Sequence, residues 1–228
     1  MQKPARHSAR DYDTLIAHMQ FYSEPNVSWS QWLHTACIQE GELTELGAFL
    51  ASRLEGGVWV DIPCGLADAS GKTVMEVAQK LGVRTLLQVD HDAGVLGERL
   101  EHPVRTVEGT TVYTHCADVL EFLAKLPVNT GKRGRAIYIS GLQPQADFCR
   151  DPAHVSGVVV PYLQALYSEL ERVSAAKDLV ILNEAAVLGS HIDEEQYPTL
   201  HPAIALVAHH FCCRRTCPHN KVQVFEKL

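Results

Sequence analysis

The sequence predicts an α/β fold, a mostly parallel sheet flanked by helices and preceded by a helical N-terminal segment. Three features predict it. From Gly57 onward, short apolar runs alternate with stretches of helical periodicity, the pattern of successive strand–helix–strand units. The run Val58-Trp59-Val60-Asp61-Ile62-Pro63-Cys64-Gly65-Leu66-Ala67 passes from apolar residues through a carboxylate into a Pro/Gly turn ahead of a helical stretch. That is how an α/β protein sets a backbone loop and a helix N-terminus beside a bound nucleotide. Finally, residues 206–214 and 222–227 flank Cys217-Pro-His-Asn-Lys and read as an antiparallel hairpin.

The elements follow in order. Residues from about 8 to 54 read as helices: Leu15, Met19 and Tyr22 share one face, and Leu43, Leu46, Phe49, Leu50 and Leu54 keep helical spacing. Between them Tyr22-Ser-Glu-Pro-Asn-Val-Ser-Trp29-Ser-Gln-Trp32 is a loop passing into a short helix, with Ser28 a suitable N-cap. Strands are expected at 57–61, 84–89, 111–116, 135–140 and 179–183, and helices near 71–81, 93–100, 119–125 and 161–175. The last helix places Leu163, Leu166, Tyr167, Leu170 and Val173 on one face and Pro161 in its first turn. The organisation expected is an N-terminal helical cap over 1–54 and a nucleotide-binding domain over 55–228.

Composition narrows the function classes. With 228 residues, 46% hydrophobic and 21% charged, the chain can bury a full core. A formal charge of -7 with scattered Lys and Arg argues against nucleic acid as the main partner. The N-terminal stretch lacks the apolar core of a signal peptide, and no run reaches membrane-span length, so a cytoplasmic protein is expected. Seven cysteines without regular spacing read as reduced thiols. The His/Cys cluster His209–His219 has zinc-type donors but no C-x2-C pair. Strand alternation would divide those donors between two faces, which favours a structural role and no metal.

Four regions carry chemistry. Asp61-Ile-Pro63-Cys-Gly65-Leu-Ala67 is a strand-to-helix loop headed by an acid. In Leu86-Leu-Gln-Val-Asp90-His91-Asp92, an acid at the end of the second strand is placed to accept both ribose hydroxyls, while Asp92 suits the N-cap of the next helix. His115-Cys116-Ala117-Asp118 ends the third strand, and Asp118 with Glu121 also forms a capping-box-like helix start. Ile137-Tyr-Ile-Ser140-Gly141-Leu142-Gln143 ends the fourth.

Together these regions resemble class I S-adenosylmethionine (SAM) methyltransferases. The loop is similar to that family's D-x-G-x-G-x-G, with Gly65 as the central glycine and Pro63 and Ala67 at the outer positions. The resemblance implies a three-layer Rossmann-like sandwich with a mostly parallel seven-stranded sheet, an antiparallel C-terminal hairpin and an N-terminal helical extension. It implies SAM as cofactor, bound by Asp61, Pro63, Gly65, Asp90, His91, Ala117, Asp118 and Ser140. In this reading Asp118 takes the adenine amino group and a neighbouring backbone amide meets a ring nitrogen. Tyr22, Trp29, Gln143 and Asn183 are the expected substrate-binding residues, and Glu184, Tyr22 and His191 the nominees for a general base. Ser140 departs from the acid common at that position, and no Asn-Pro-Pro-Tyr element is present, which argues against adenine or glutamine N-methylation.

The expected activity is methyl transfer to a small-molecule acceptor, with a homodimer left open. Three alternatives stand beside it. One is a catalytically silent SAM-binding or partner protein of the same fold, and another is a different group transfer from SAM. The third is a P-loop protein, since Gly65-Leu-Ala-Asp-Ala-Ser-Gly71-Lys72-Thr73 approaches G-x4-G-K-[ST]; but five residues separate its glycines, which misplaces the phosphate-cradling amides.

Overall fold

A computed structural model describes residues 29–62, 74–140, 157, 160–183, 211–217 and 222–227. Helix α1 (Trp29–Cys37) leads into a small hairpin, β1 (Ile38–Gln39) and β2 (Glu42–Leu43), and then α2 (Glu45–Leu54). The Thr44 side chain caps α2 by accepting from the Gly47 N–H at 3.1 Å. The alternating part comprises β3 (Val58–Ile62), α3 (Val74–Lys80), β4 (Thr85–Asp90) and α4 (Ala93–Leu96), which continues as a 3-10 turn over Gly97–Leu100. There follow β5 (Val104–Val107), β6 (Thr110–Cys116), α5 (Val119–Lys125), β7 (Arg135–Ser140), α6 (Val160–Val173), β8 (Leu179–Asn183), β9 (Phe211–Cys217) and β10 (Val222–Lys227).

The main sheet has eight strands in the order β5-β6-β4-β3-β7-β8-β10-β9. Strands β6, β4, β3, β7 and β8 are mutually parallel; β5 and β10 run against them, and β9 runs against β10. The seven-stranded expectation is therefore corrected by one strand. β5 folds back on β6 through Glu108-Gly109, both with positive φ (48° and 86°), the backbone of a two-residue hairpin turn. Glu40-Gly41 (φ 52° and 82°) makes the same turn between β1 and β2. The parallel strands otherwise fall within about a residue of their expected bounds, and β10 matches its own, whereas β9 runs to Cys217, three residues beyond the expected end at 214.

Alternation along the buried strands sends side chains into two apolar layers. Trp59, Leu86, Val112, Ala136, Tyr138, Leu179 and Ile181 meet α1, α2 and α3 through residues such as Leu33, Leu50, Leu54 and Val77. On the other face Val60, Ile62, Ile137, Ile139, Val180 and Leu182 meet α5 and α6 through Leu123, Leu163, Leu166 and Leu170. Helices α1 and α2 thus share one core layer with the sheet. At the entrance to β3, Gly57 and Gly134 lie so close that a Cβ on Gly57 would land on the Gly134 carbonyl.

The C-terminal hairpin is fastened to α2 by charge. Glu226 on β10 accepts from Arg53 of α2 (2.5 Å) and from Arg214 of β9 (2.7 Å), while the Arg215 guanidinium lies 5.3 Å from the Phe49 ring centroid. The β9–β10 register shifts between Val224 and Phe225, leaving Arg214 as the extra residue of a bulge. Strict alternation therefore does not hold through Cys213, Arg214 and Arg215. His209, His210 and His219 lie outside the described residues. Burial pushes the Glu226 carboxyl up, but its bonds to Arg214 and Arg53 outweigh that and hold it below its ordinary value. Its stabilisation is present above the ordinary Glu range and lost as pH falls through the lowered value. Glu226→Gln is expected to cost about 1–2 kcal/mol near neutral pH and clearly less at an acid pH below the lowered value. Urea unfolding at the two pH values checks this; an equal loss at both would show that the charge is irrelevant.

Candidate functional site

The chain leaves β3 for β4 and β6 on one flank and returns to β7 and β8 on the other. The C-terminal ends of β3 and β7 thus form a topological switch point, where open α/β sheets place ligands. Four residues expected at the site end these strands or sit one position short of the end, Asp61 on β3, Asp90 on β4, Ser140 on β7 and Asn183 on β8, and a fifth, Asp118, lies two residues past β6. Strand order arranges them in a row, Asp118, Asp90, Asp61, Ser140 and Asn183. Ser140 and Asn183 are direct register partners.

The acids differ in surroundings. Asp90 is 3% exposed, accepts from the Asp92 N–H at 3.0 Å, and has His91 Nδ1 at 3.4 Å from the same Oδ1. Asp92 caps α4 as expected, accepting from the Gly94 and Val95 N–H groups. Asp118 caps α5 through Oδ1, which accepts from Leu120 N–H (2.8 Å) and Glu121 N–H (3.1 Å). Both capping bonds fall on Oδ1, so Oδ2 lies outside the cap. The Ala117 N–H, next to Asp118, donates to the Asp90 carbonyl at 2.9 Å. That bond ties the rim of β6 to the rim of β4, and a cofactor contact through this amide would have to displace or share it. Asp61 is 2% exposed, and burial pushes its carboxyl well above the usual carboxylate range; Arg99 opposes the shift and Asp90 adds to it.

Beneath these tips runs a polar belt that the sequence reading missed. Tyr138, Asp61, Gln88 and Thr114 are register neighbours across β7, β3, β4 and β6. Arg105 reaches in from edge strand β5, donating to Gln88 Oε1 (2.8 Å) and Thr114 Oγ1 (3.2 Å). At the other end Asn183 Nδ2 donates to the Tyr138 hydroxyl at 2.9 Å. A signal was present: in Leu86-Leu87-Gln88-Val89-Asp90 the polar residues recur every second position, which puts Gln88 and Asp90 on one face.

Pro63, Gly65 and Ala67 continue directly from Ile62 but lie outside the described residues, as do Tyr22, Gln143, Glu184 and His191. Trp29 opens α1, and its side chain is not described. Among the described residues no cluster of His, Cys, Asp or Glu could hold a metal ion, and no helix is long and apolar enough to cross a membrane.

This architecture is a Rossmann-like α/β fold, shared with methyltransferases of known structure. The N-methyltransferase NodS from Bradyrhizobium japonicum WM9 is similar over 90% of this chain and 99% of its own, with 10% identity and a TM-score of 0.50. The putative methyltransferase yhhF from Escherichia coli covers 90% and 89%, at 12% identity and a TM-score of 0.49. Geranyl diphosphate methyltransferase in complex with SAM covers 90% and 93%, at 10% identity and a TM-score of 0.47. No protein-family model matches the sequence, and no curated protein does either.

Proposed function

We propose that the protein is a SAM-dependent methyltransferase acting on a small-molecule acceptor. The observation that carries the reading is the row of carboxyls from Asp118 through Asp90 to Asp61, set along adjacent strand ends beside the β3/β7 switch point. These acceptors fit an adenosyl group. Asp90 is an acceptor for the ribose hydroxyls, and Asp118 Oδ2 for the adenine amino group, with Oδ1 already engaged by the cap. Pro63 and Gly65 would bring backbone close to the amino-acid end. When bound, SAM supplies an electrophilic methyl on a sulfonium sulfur, taken by in-line displacement.

Ser140 and Asn183 hold the acceptor half of the switch-point crevice. The bond from Asn183 to Tyr138 fixes the carboxamide, and positioning is the main contribution this wall makes to rate. A general base is needed only for a nucleophile that arrives protonated; Glu184, Tyr22 and His191 are its nominees. The formal charge of -7 fits a small-molecule acceptor better than a nucleic-acid partner.

Isothermal titration with SAM, S-adenosylhomocysteine and ATP tests the cofactor. Saturable binding of both adenosyl compounds is expected. Binding of neither removes the assignment, and magnesium-dependent ATP binding instead revives the P-loop reading. Methyl release against a metabolite panel then separates an enzyme from a silent binder, which would bind SAM without turnover.

A further inference from the structure

The polar belt under the strand tips is tied at both ends. Arg105 donates to Gln88 Oε1 (2.8 Å) and Thr114 Oγ1 (3.2 Å) at one end, and Asn183 donates to the Tyr138 hydroxyl (2.9 Å) at the other. Between them stands the Gln88 amide nitrogen. Gln88 is 7% exposed, and its Nε2 donates to no described residue. A guanidinium only donates, so Arg105 decides which end of the carboxamide it meets and turns Nε2 away from the edge strand. An N–H group buried this deeply is costly without an acceptor.

The surroundings say which acceptor fits. Asp61 is the register partner of Gln88 on β3, and Asp90 stands two residues further along β4, so the three side chains leave the sheet on one face. A carboxyl alone would select a donor and an amide N–H alone an acceptor; side by side they suit a group that is both. A hydroxyl is such a group. Residues two apart on a strand are separated by about 6.6 Å. A hydroxyl that donates to one neighbour and accepts from another spans about 5.6 Å between them, so one oxygen can join Asp90 to Gln88.

We propose that Gln88 reads a hydroxyl of the bound molecule together with Asp90, and that Arg105, reaching in from β5, is the positioning residue that keeps its amide nitrogen turned to the ligand. In the SAM reading above, on which the inference rests, the hydroxyl belongs to the ribose. Its hydrogen goes to Asp90, and a lone pair left on the same oxygen accepts from Nε2. Gln88 therefore contributes only while Asp90 holds the hydroxyl.

The measurement is the ratio of affinities for S-adenosylhomocysteine and its analogue without ribose hydroxyls, by titration calorimetry of the full chain. A general loss of binding lowers both affinities and leaves the ratio unmoved. Gln88→Glu keeps an acceptor for Arg105 and removes the donor; it is expected to lower the ratio about tenfold, the scale of one hydrogen bond. Arg105→Met frees the carboxamide to rotate and should lower the ratio about threefold, while Arg105→Lys, which retains a donor, should recover it. With Asp90→Ala already present, Gln88→Glu should change the ratio no further. An unchanged ratio in a Gln88→Glu variant with cooperative thermal unfolding overturns the proposal. If that variant does not fold, an unchanged ratio in Arg105→Met overturns it instead. Failure of wild type to bind S-adenosylhomocysteine removes the cofactor reading, whereas equal wild-type affinity for the two ligands overturns the hydroxyl contact alone.

Discussion

Asp178→Ala is expected to destabilise the fold by about 3–5 kcal/mol, the scale for breaking a buried ion pair and leaving its partner behind. Asp178 lies at the end of the sheet opposite the site, just ahead of β8, and is 1% exposed. Its Oδ1 accepts from Asn129 Nδ2 (2.6 Å) and the Arg135 N–H (3.0 Å), and its Oδ2 from the Ala175 N–H (3.0 Å) and Arg135 Nη2 (3.3 Å). Arg135, which opens β7, also donates to the carbonyls of Pro127 and Val173. One carboxylate therefore joins the entrances of two central strands, the end of α6 and the loop after α5. Truncating it strands two backbone amides and a guanidinium in a region without water to replace the lost acceptor. Urea unfolding gives the cost, and a loss below about 1 kcal/mol would show that the network is dispensable. Combining Arg135→Met with Asp178→Asn should cost less than Asp178→Asn alone, because the unpaired cation is then gone.

The legible parts of this fold were those written in long-range patterning. β7, β8 and β10 were readable to the residue because their apolar runs are buried and bounded by turn residues, and α5 because Asp118 caps a helical repeat. The missed strands share a cause. β1–β2 and β5–β6 turn on Glu-Gly, a pair without the local signature of Asn-Gly or Asp-Gly, and β5 has only four residues of alternating partial exposure. At the site, the carboxylates were legible because a strand-end acid has a distinctive place in an α/β sequence. The belt was not, since Arg105 reaches Gln88 from a strand two positions away in the sheet, and only topology makes them neighbours. Arg99 escaped for a similar reason: its effect on Asp61 crosses from one strand–helix unit to another. The use of the Ala117 amide by the Asp90 carbonyl is likewise a register fact, fixed when β4 and β6 align.

Asp90→Ala is expected to weaken SAM binding by about a hundredfold or more while leaving the fold cooperative. The magnitude follows from two hydrogen bonds from ribose hydroxyls to one buried carboxylate, each in the range of about 1.5–3 kcal/mol, with about 1.4 kcal/mol per factor of ten. The structural cost should be small by comparison. Asp90 Oδ1 accepts from the Asp92 N–H and lies 3.4 Å from His91 Nδ1, both on the segment after β4, where Asp92 keeps its own grip on the first turn of α4. An analogue without ribose hydroxyls isolates the contact: wild type should bind it far more weakly than S-adenosylhomocysteine, whereas Asp90→Ala should hardly distinguish the two. Calorimetry reads all six affinities. If Asp90→Ala keeps wild-type affinity, or still discriminates between the analogues as wild type does, the ribose partner is another residue and the role given to Asp90 falls.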